Sequence, residues 1–403
     1  MARALGIDPG TRSFDLVVVD NDRVVWERSI DTIEIARDPM VLVRAIEDAG
    51  EVDLIAGLSG YGTPVVCNED ILDPRTFALE VLLLTSREDL LDGVGRGGIG
   101  IAVYKALADA VAILWERGFR VCYIPSVILL PTVPRYRKIN RVDMGTADKM
   151  AIAVLGVYDQ SRRLGIDYGE TSFILVEMGY GYNAVLGIDR GRIVDGFGGT
   201  LTPMGFLTIG SIDGEAVVAG RVWRRSDVFY GGVATICGEM DFEKALEKSS
   251  SDSLCRDAFQ SMFDWIIGHV YAMRKSVPRP KEIILSGRLS RVKVIREFLE
   301  EALEDIAPVT RIDGLPGARV SKEAAQGYAI IGEGLAGGFF RDLINYMGIP
   351  RACGTVFNWL YHPRLASARE RLLDAYRQSV RRERLKRILY CTNWPSIGIS
   401  MFR

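Results

Sequence analysis

Short apolar runs that end in turn residues are the clearest pattern along this chain. Two groups of three such runs are present, at 2–8, 14–20 and 23–28, and again at 172–177, 183–189 and 191–195. Runs of this length separated by tight turns predict antiparallel strands. The sequence therefore predicts two three-stranded meanders, one in each half of the chain.

The first turn of each meander carries an acidic residue and glycine. The first apolar run ends in Asp8-Pro9-Gly10-Thr11-Arg12-Ser13, and its counterpart ends in Glu177-Met178-Gly179-Tyr180-Gly181-Tyr182-Asn183. Asp8 precedes Asp20 by the same number of residues as Glu177 precedes Asp189. This internal repeat indicates two similar lobes, each bringing one acidic hairpin to a shared cleft.

Helical spacing alternates with further buried strands, which predicts an α/β protein. Predicted helices cover 40–49, 76–91, 101–116, 145–163, 213–220, 256–276, 291–304 and 321–337, and predicted strands cover 54–58, 121–124 and 282–285. Small residues in the last helix predict close backbone packing by a helix that bridges the lobes. We place the domain boundaries at 1–165, 166–345 and 346–403.

Gly93–Gly100 is rich in glycine and contains one arginine, Arg96. Its glycines match the pattern G-x-G-x-x-G, but no convincing strand ends just before it, so it is not a dinucleotide fingerprint. We expect a flexible loop. Arg96 either belongs to a solvated hinge or meets a phosphoryl or carboxylate group of a substrate.

Composition favours a soluble globular protein. The chain has 403 residues, 48% hydrophobic residues and a net charge of −2. That charge gives no reason to expect nucleic acid or membrane binding by the whole chain. No apolar run reaches the roughly 18 residues that a spanning helix needs. Six scattered cysteines form no C-x-x-C pair, so we expect reduced thiols and a cytoplasmic protein.

The C-terminal stretch differs from the rest of the chain. Between Arg364 and Tyr390 there are nine basic and three acidic residues, and the apolar residues lie near helical spacing. This predicts an amphipathic basic helix. It either packs on its own protein with solvated charges or contacts an acidic partner.

These motifs together resemble the acetate/sugar kinase, Hsp70 and actin superfamily, over roughly 3–337. Within it, Asp8–Ser13 is similar to the Asn-Pro-Gly-Ser-Thr-Ser of butyrate kinase, and Gly95–Gly98 is similar to its Gly-Arg-Gly-Gly loop. Gly191–Asp195 is similar to the Gly-Arg-Val-Ile-Asp that follows its second phosphate hairpin. The whole chain also resembles an uncharacterised archaeal family known only as predicted butyrate kinases.

The resemblance implies a two-lobed ribonuclease H-like (actin-like ATPase) fold with duplicated β-sheet lobes and a nucleotide cleft between them. It implies ATP and Mg²⁺ as cofactors, with Asp8 holding the hydrated metal and Arg96 stabilising the transferred phosphoryl group. The residues that would hold phosphate or adenosine are Gly10, Thr11, Ser13, Gly179, Gly181, Asn183, Ser286, Gly287 and Arg288.

Two positions depart from the butyrate kinase pattern. Asp15 stands where that family has lysine, and Glu177 stands where it has histidine. We expect Glu177 to reach the metal, directly or through water; the alternative is a solvated strand end. For Asp148 and Lys149, on the helix that closes the first lobe, we expect a surface ion pair.

The sequence thus predicts an enzyme that transfers the γ-phosphoryl group of ATP to a small acceptor, with a short carboxylic acid favoured. The first alternative is a nucleotide-binding ATPase switch that gates a partner, and the second is a scaffold that no longer binds nucleotide. Whether the chain forms a homodimer is left open.

Overall fold

The computed structural model describes residues 2–96 and 99–389, with side chains at all of these positions except 96, 99, 100 and 387. Two β-sheets follow one another along the chain. Their strands are β1 Arg3–Pro9, β2 Ser13–Asp20, β3 Arg23–Asp31, β4 Leu54–Gly57, β5 Val66–Cys67, β6 Val121–Tyr123, β7 Phe173–Met178, β8 Asn183–Asp189, β9 Arg192–Phe197, β10 Glu282–Ser286 and β11 Val309–Arg311.

Helices lie between and around these strands. They are α1 Thr32–Arg37, α2 Met40–Asp48, α3 Pro74–Thr76, α4 Arg87–Arg96, α5 Ile99–Glu116, α6 Arg135–Lys138, α7 Ala147–Leu164, α8 Gly214–Gly220, α9 Val233–Cys237, α10 Phe242–Lys248, α11 Ser253–Arg274, α12 Lys293–Ala302, α13 Glu323–Leu335, α14 Arg341–Tyr346, α15 Ala366–Ser379 and α16 Arg382–Leu389. A π-helical turn covers Phe77–Leu82, and 3₁₀ turns include Arg225–Phe229 and Leu289–Arg291.

The two sheets share one topology over five strands, and β5 of the first sheet has no counterpart in the second. The first has the order β3-β2-β1-β4-β6-β5 and the second has the order β11-β10-β7-β8-β9. In each sheet an antiparallel meander is extended by parallel strands, β4 beside β1 and β10 beside β7. After its fifth equivalent strand, β6 or β11, each half continues into a long helix, α7 or α13. The repeat predicted from the acidic turns is thus present in the fold.

Both faces of the central strands are covered by other parts of the protein, so these strands consist of nearly continuous apolar residues. Every residue of β7 is buried. Phe173 and Leu175 belong to a core shared with the first sheet, whereas Ile174 and Val176 belong to a second core with α11 and α12. The two lobes therefore meet through packed side chains along β7.

Helix α13 packs tightly against the first half of the molecule, as its small residues predict. A Cβ atom at Gly327 would overlap the backbone of Ala151 in α7, and one at Gly332 would lie 3.2 Å from Ala4 in β1. On the facing strand, a Cβ at Gly6 would overlap the backbone of α13 at Ala325. Side chains larger than hydrogen would push these elements apart.

The Gly-rich segment is more helical than predicted. Residues 93–96 belong to the last turns of α4, and α5 begins at Ile99, while 97–98 lie outside the described residues. The predicted helix at 76–91 is also divided, into the π-helical turn Phe77–Leu82 and α4. Glycine lowers helix propensity by only about 1 kcal/mol, which contacts elsewhere in the structure can offset.

The expectation of reduced thiols was wrong. Cys67 is bonded to Cys122, its direct partner across β5 and β6, and Cys237 is bonded to Cys255. Cys353 is also disulfide-bonded, and the described part of the chain holds no free cysteine. The paired residues are far apart in sequence, so their spacing gave no signal of the pairing.

The basic C-terminal stretch forms two helices, α15 and α16, rather than one. Between them Val380 makes a bridge with Ile71, and Arg381 Nε donates a hydrogen bond of 2.8 Å to the Glu69 carbonyl oxygen. Arg384 reaches the Val65 carbonyl oxygen. This part of the tail packs on the first lobe. Among the described residues, every helix is too short or too polar to cross a bilayer.

Candidate functional site

A cavity of about 230 Å³ lies between the two sheets. It is lined by both acidic turns and by the turn after β10, through the predicted site residues Asp8, Gly10, Thr11, Ser13, Glu177, Gly179, Gly181, Gly287 and Arg288. The turns meet tip to tip, because a Cβ atom at Gly181 would lie 3.3 Å from Thr11 Oγ1. The fold thus brings together residues that are far apart in the sequence.

Three predicted site residues have a different status. Asn183 is buried at the start of β8, where its Nδ2 donates to the Met204 carbonyl oxygen at 3.1 Å. Ser286 is buried at the end of β10 and does not line the cavity. Arg96 is the last residue of α4, and its side chain lies outside the described residues. The roles assigned to all the predicted residues stay predictions.

The first acidic turn is tight and carries a lysine beside it. Gly10 N–H donates to the carbonyl oxygens of Asp8 and Ser13, both at 3.1 Å. Lys322, just before α13, donates to the Ser13 carbonyl oxygen at 3.0 Å. A Cβ atom at Gly10 would overlap the Lys322 ammonium, so glycine makes room for this cation.

Lys322 also compensates the two carboxylates of the first lobe. Its Nζ lies 2.6 Å from Asp15 Oδ2 and 3.7 Å from Asp8 Oδ2. Asp15 stood out in the sequence as a position where butyrate kinase has lysine. The structure supplies an ammonium at that place from a distant part of the chain, and no local motif marked Lys322.

The second acidic turn has its own lysine. Lys149 Nζ lies 2.6 Å from Asp148 Oδ2 and 3.1 Å from Glu177 Oε2. The Lys149 side chain is only 13% exposed, so the expected surface ion pair was wrong. Burial alone would lower the pKa of Lys149, but the carboxylates of Asp148 and Glu177 together raise it. This lysine stays charged, and Glu177 is a buried, partnered group rather than a solvated strand end.

Burial controls the carboxylates of the cavity. It raises the pKa of Asp8 to about 7, even though the Lys322 ammonium opposes the shift. Burial also raises the pKa of Glu177, against the opposing effect of Lys149. A desolvated carboxylate with incomplete compensation gains from an additional cation. The lysines therefore leave room for a metal charge at this site.

The donor set fits Mg²⁺ that arrives with phosphate. Among the described residues, no group of three histidine, cysteine, aspartate or glutamate side chains is placed to hold a metal alone. Mg²⁺ commonly uses one or two carboxylates and completes its shell with water and substrate phosphates. Asp8 and Glu177 on facing turns match that requirement better than they match a resident metal cage.

The turn after β10 approaches the second acidic turn closely. Gly287 has a φ of +86°, and a Cβ atom there would collide with the backbone of Met178. Glycine therefore allows Arg288 to reach the cavity at this point. On the other wall, the Arg12 guanidinium lies 5.2 Å from the centroid of the Tyr180 ring, which adds a second arginine to the lining.

Another part of the cavity is apolar and aromatic. Tyr61, Tyr104 and Phe229, here called the aromatic wall, line it together with Leu83, Val103 and Leu107. The Phe229 ring meets the Tyr104 ring edge-on at 5.4 Å between centroids. Because Phe229 lies between β9 and β10 of the second sheet while the tyrosines belong to the first half, both halves contribute to this wall.

Arg225 holds the aromatic wall from behind. Its Nη2 donates to Tyr61 Oη at 2.9 Å, to the Leu83 carbonyl oxygen at 3.3 Å and to Tyr104 Oη. Its guanidinium also lies over both tyrosine rings, at 5.3 and 5.0 Å. Both phenol oxygens accept from Arg225, and the two phenols also hydrogen-bond each other, so one of the two O–H groups is left to donate elsewhere. Sequence reasoning missed this residue, because an Arg-Arg pair in a predicted loop carries no distinctive signal.

Comparison with known proteins gives a family and a fold. Over residues 6–362 the chain matches the model of a family described as "Protein of unknown function (DUF1464)". No curated protein matches it.

Two solved structures of similar fold are a propionate kinase from Francisella tularensis subsp. tularensis SCHU S4 and an acetate kinase from Porphyromonas gingivalis. The first is 11% identical, with 82% of this chain and 98% of that chain covered and a TM-score of 0.53. The second is 13% identical, with 82% and 98% covered and a TM-score of 0.51. At sequence identities this low, the similarity is evidence for a shared fold alone. The predicted two-lobed α/β fold is confirmed, whereas membership of the superfamily and the narrower resemblance to butyrate kinase and to an archaeal family stay predictions.

Proposed function

The chain belongs to the DUF1464 family, and from its cleft we propose that it is an ATP- and Mg²⁺-dependent phosphotransferase that acts on a small carboxylic acid. The observation that carries this proposal is the meeting of two acidic, glycine-containing turns across one cavity, each beside a lysine from a distant segment. Backbone N–H groups in such turns, together with the lysines, suit the β- and γ-phosphates.

In this proposal the γ-phosphoryl group leaves ADP as its bond to the bridging oxygen breaks, and a new bond forms to an acceptor carboxylate oxygen. The product is an acyl phosphate. A carboxylate is already ionised at neutral pH, so the reaction needs no general base. When bound, Mg²⁺ would neutralise developing charge on the phosphates, with Asp8 and Glu177 holding it.

The cationic side chains of the cavity have separate tasks. Lys322 and Lys149 would contact the phosphates from opposite lobes, which positions the chain of oxygens for in-line transfer. Arg288 would lie against the nucleoside, and Arg96 stays the candidate for the transferring phosphoryl group. The aromatic wall would hold the apolar part of the acid, with one O–H group of the Tyr61–Tyr104 pair left to donate to a polar ligand atom.

Nucleotide binding is tested by thermal unfolding. ATP with Mg²⁺ should raise the melting temperature, because ligand that binds the native state stabilises it by mass action. Asp8→Asn should lose the Mg²⁺-dependent part of the shift. Asp257→Asn, a change at an exposed carboxylate on α11, should keep the whole shift. A folded wild-type sample that shows no shift at millimolar nucleotide would contradict the proposal.

The acceptor is tested by ADP release over a panel of short, branched and aromatic acids, with acyl phosphate trapped as hydroxamate. A kinase releases ADP faster when its acid is present, and hydroxamate accumulates in step. The second candidate, an ATPase switch, predicts slow ADP release that no acid accelerates and no hydroxamate.

A further inference from the structure

Outside the cleft, four arginines converge on a second cavity of about 320 Å³. We call it the arginine pocket; its charged lining residues are Arg291, Arg296, Arg311, Asp313, Arg319 and Glu323. Four guanidinium groups face two carboxylates there. The pocket thus carries an excess of positive charge although the whole chain has a net charge of −2.

The arginines come from four different elements. Arg291 ends the turn Leu289–Arg291, Arg296 lies in α12, Arg311 ends β11, and Arg319 lies in the loop before α13. Glu27 of β3 fixes that loop, because its carboxylate accepts hydrogen bonds from the backbone N–H groups of residues 319, 320 and 321 at 2.8 to 3.0 Å. The pocket is therefore built on a held backbone and not on a free loop.

The donor capacity of these arginines is largely unused. Glu323 Oε1 lies 2.8 Å from Arg311 Nη2 and 3.5 Å from Arg291 Nη2, so two guanidinium groups share one carboxylate oxygen. Arg311 Nε is buried without a hydrogen-bond partner among the described residues. Among the residues that the structure describes, Arg296 donates only to backbone carbonyl oxygens, at 3.4 and 3.5 Å.

Arg319 adds a further open donor group. Within the described ranges its guanidinium makes no hydrogen bond or ion pair, and the residue is exposed. Guanidinium groups in a fixed arrangement match phosphate oxygens in pairs, and their hydrogen bonds to an anion are stronger than those between neutral groups. The chemistry of the pocket suits a compact dianion.

Glu323 connects this pocket to the cleft. It lines both cavities, is only 4% exposed and directly follows Lys322, whose ammonium pairs with Asp15 in the cleft. An anion that draws Arg311 and Arg291 away would leave the Glu323 carboxylate less compensated at the edge of the cleft. The less compensated carboxylate would repel the negative phosphates of a bound nucleotide.

We propose that the arginine pocket is a second ligand site, which binds a dianionic phosphate group and lowers the affinity of the cleft for ATP. The coupling rests on the proposed nucleotide site, but the binding of phosphate does not. The phosphate group can belong to free inorganic phosphate or to a phosphorylated small molecule. By linkage, nucleotide must lower the phosphate affinity by the same factor.

The test is calorimetric titration of the full chain with inorganic phosphate and, separately, with glycerol 3-phosphate. Each titration is run with and without saturating Mg·ATP. Arg296→Gln/Arg319→Gln removes two donors from partly exposed positions, so the fold should be unaffected. Lys275→Gln/Arg279→Gln removes the same charge from exposed positions outside both cavities. Melting temperatures of all proteins are compared first.

We expect phosphate to bind the wild type and the Lys275→Gln/Arg279→Gln control equally. The pocket variant should bind it about tenfold or more weakly, the effect of losing hydrogen bonds to a charged group. Binding of only one of the two titrants would identify the source of the phosphate group and would still support the site.

Equal binding by the pocket variant and the wild type would overturn the site. Phosphate binding in the pocket with unchanged ATP affinity would overturn the coupling. Failure of ATP to bind at all would contradict the proposed function, while the phosphate titrations without nucleotide would still decide the site.

Discussion

Lys138 shows how one buried side chain should shape the pH dependence of stability. It is completely buried, and its Nζ donates to the Leu130 carbonyl oxygen at 2.7 Å. Burial lowers the pKa of Lys138 from 10.5 to about 6. The Trp359 ring, 5.6 Å from Nζ, favours the ammonium form but does not cancel this effect.

Between pH 6 and 10.5 the unfolded chain therefore binds more protons at Lys138 than the folded protein does. Stability should rise with pH across this window. Lys138→Met should flatten the rise, by up to about 1.4 kcal/mol for each pH unit. Urea unfolding at pH 6.5, 7.5 and 8.5 gives the free energy of unfolding at each pH, and hence the slope. Lys293→Met, at a side chain that is 79% exposed, should keep the wild-type slope. If the free energy of unfolding rose with pH equally in Lys138→Met and the wild type, the lowered pKa of Lys138 would be contradicted.

Residues of the site could be predicted only where the sequence keeps them together. Asp8, Gly10 and Glu177 lie in short motifs that repeat, so their pattern is visible without a structure. Lys322 and Arg225 act through contacts with distant segments, and no local spacing records such contacts. Lys149 was noticed, but its partner Glu177 lies across the cleft, so its sequence neighbour Asp148 suggested a surface pair.

At the scale of elements, the segment Arg224–Phe229 joins the second half of the chain to the first. Arg224 forms an ion pair of 2.9 Å with Asp92 in α4, and Arg225 holds Tyr61 and Tyr104. The Arg224 pair is exposed, and such pairs contribute at most about 1 kcal/mol. The partly buried Arg225 contacts should therefore determine the geometry of the aromatic wall.

Arg225→Lys should raise the KM for the acid roughly 10- to 100-fold, because one ammonium cannot reproduce the guanidinium contacts with both tyrosines. The affinity for ATP, measured by titration without acid, should change little. Arg224→Lys, next in sequence, is the matched control and should leave both quantities within about twofold. An equal loss of ATP and acid binding in Arg225→Lys would indicate general unfolding of the cleft and would contradict a positioning role.

The sequence located most strands because apolar runs and turns are local signals. It was less reliable for helices with unusual composition. The π-helical turn Phe77–Leu82 divides what periodicity indicated as one helix, and α4 includes glycines that indicated a loop. Glycine costs a helix only about 1 kcal/mol relative to alanine, so the glycines of α4 were weak evidence for a loop.

At the scale of the whole molecule, α13 ties the lobes into one unit. It follows the second sheet but packs on β1, β4 and α7 of the first half. The lobes should therefore unfold in a single transition in the absence of ligand. Gly327→Ala should lower the melting temperature of that transition, since the added methyl overlaps Ala151 and overpacking typically costs about 1–3 kcal/mol.

Gly268→Ala in α11 is the control, because a Cβ atom there has no neighbour within 4 Å. It should leave stability unchanged or raise it by roughly 0.5–1 kcal/mol, the usual gain from alanine in a helix. Scanning calorimetry measures both variants. Two separate transitions, with Gly327→Ala shifting only one of them, would show that the lobes unfold independently.

The ion pairs of the cleft are exchanged between the two halves of the chain. Lys149 at the start of α7 pairs with Glu177 of the second half, and Lys322 at the start of α13 pairs with Asp15 of the first. The two helices occupy equivalent places after their sheets. If the halves descend from one duplicated unit, a solitary ancestor would have lacked a lysine beside its own acidic turn. Two ancestral copies would have supplied it to each other, so gene fusion would have made an existing homodimer permanent.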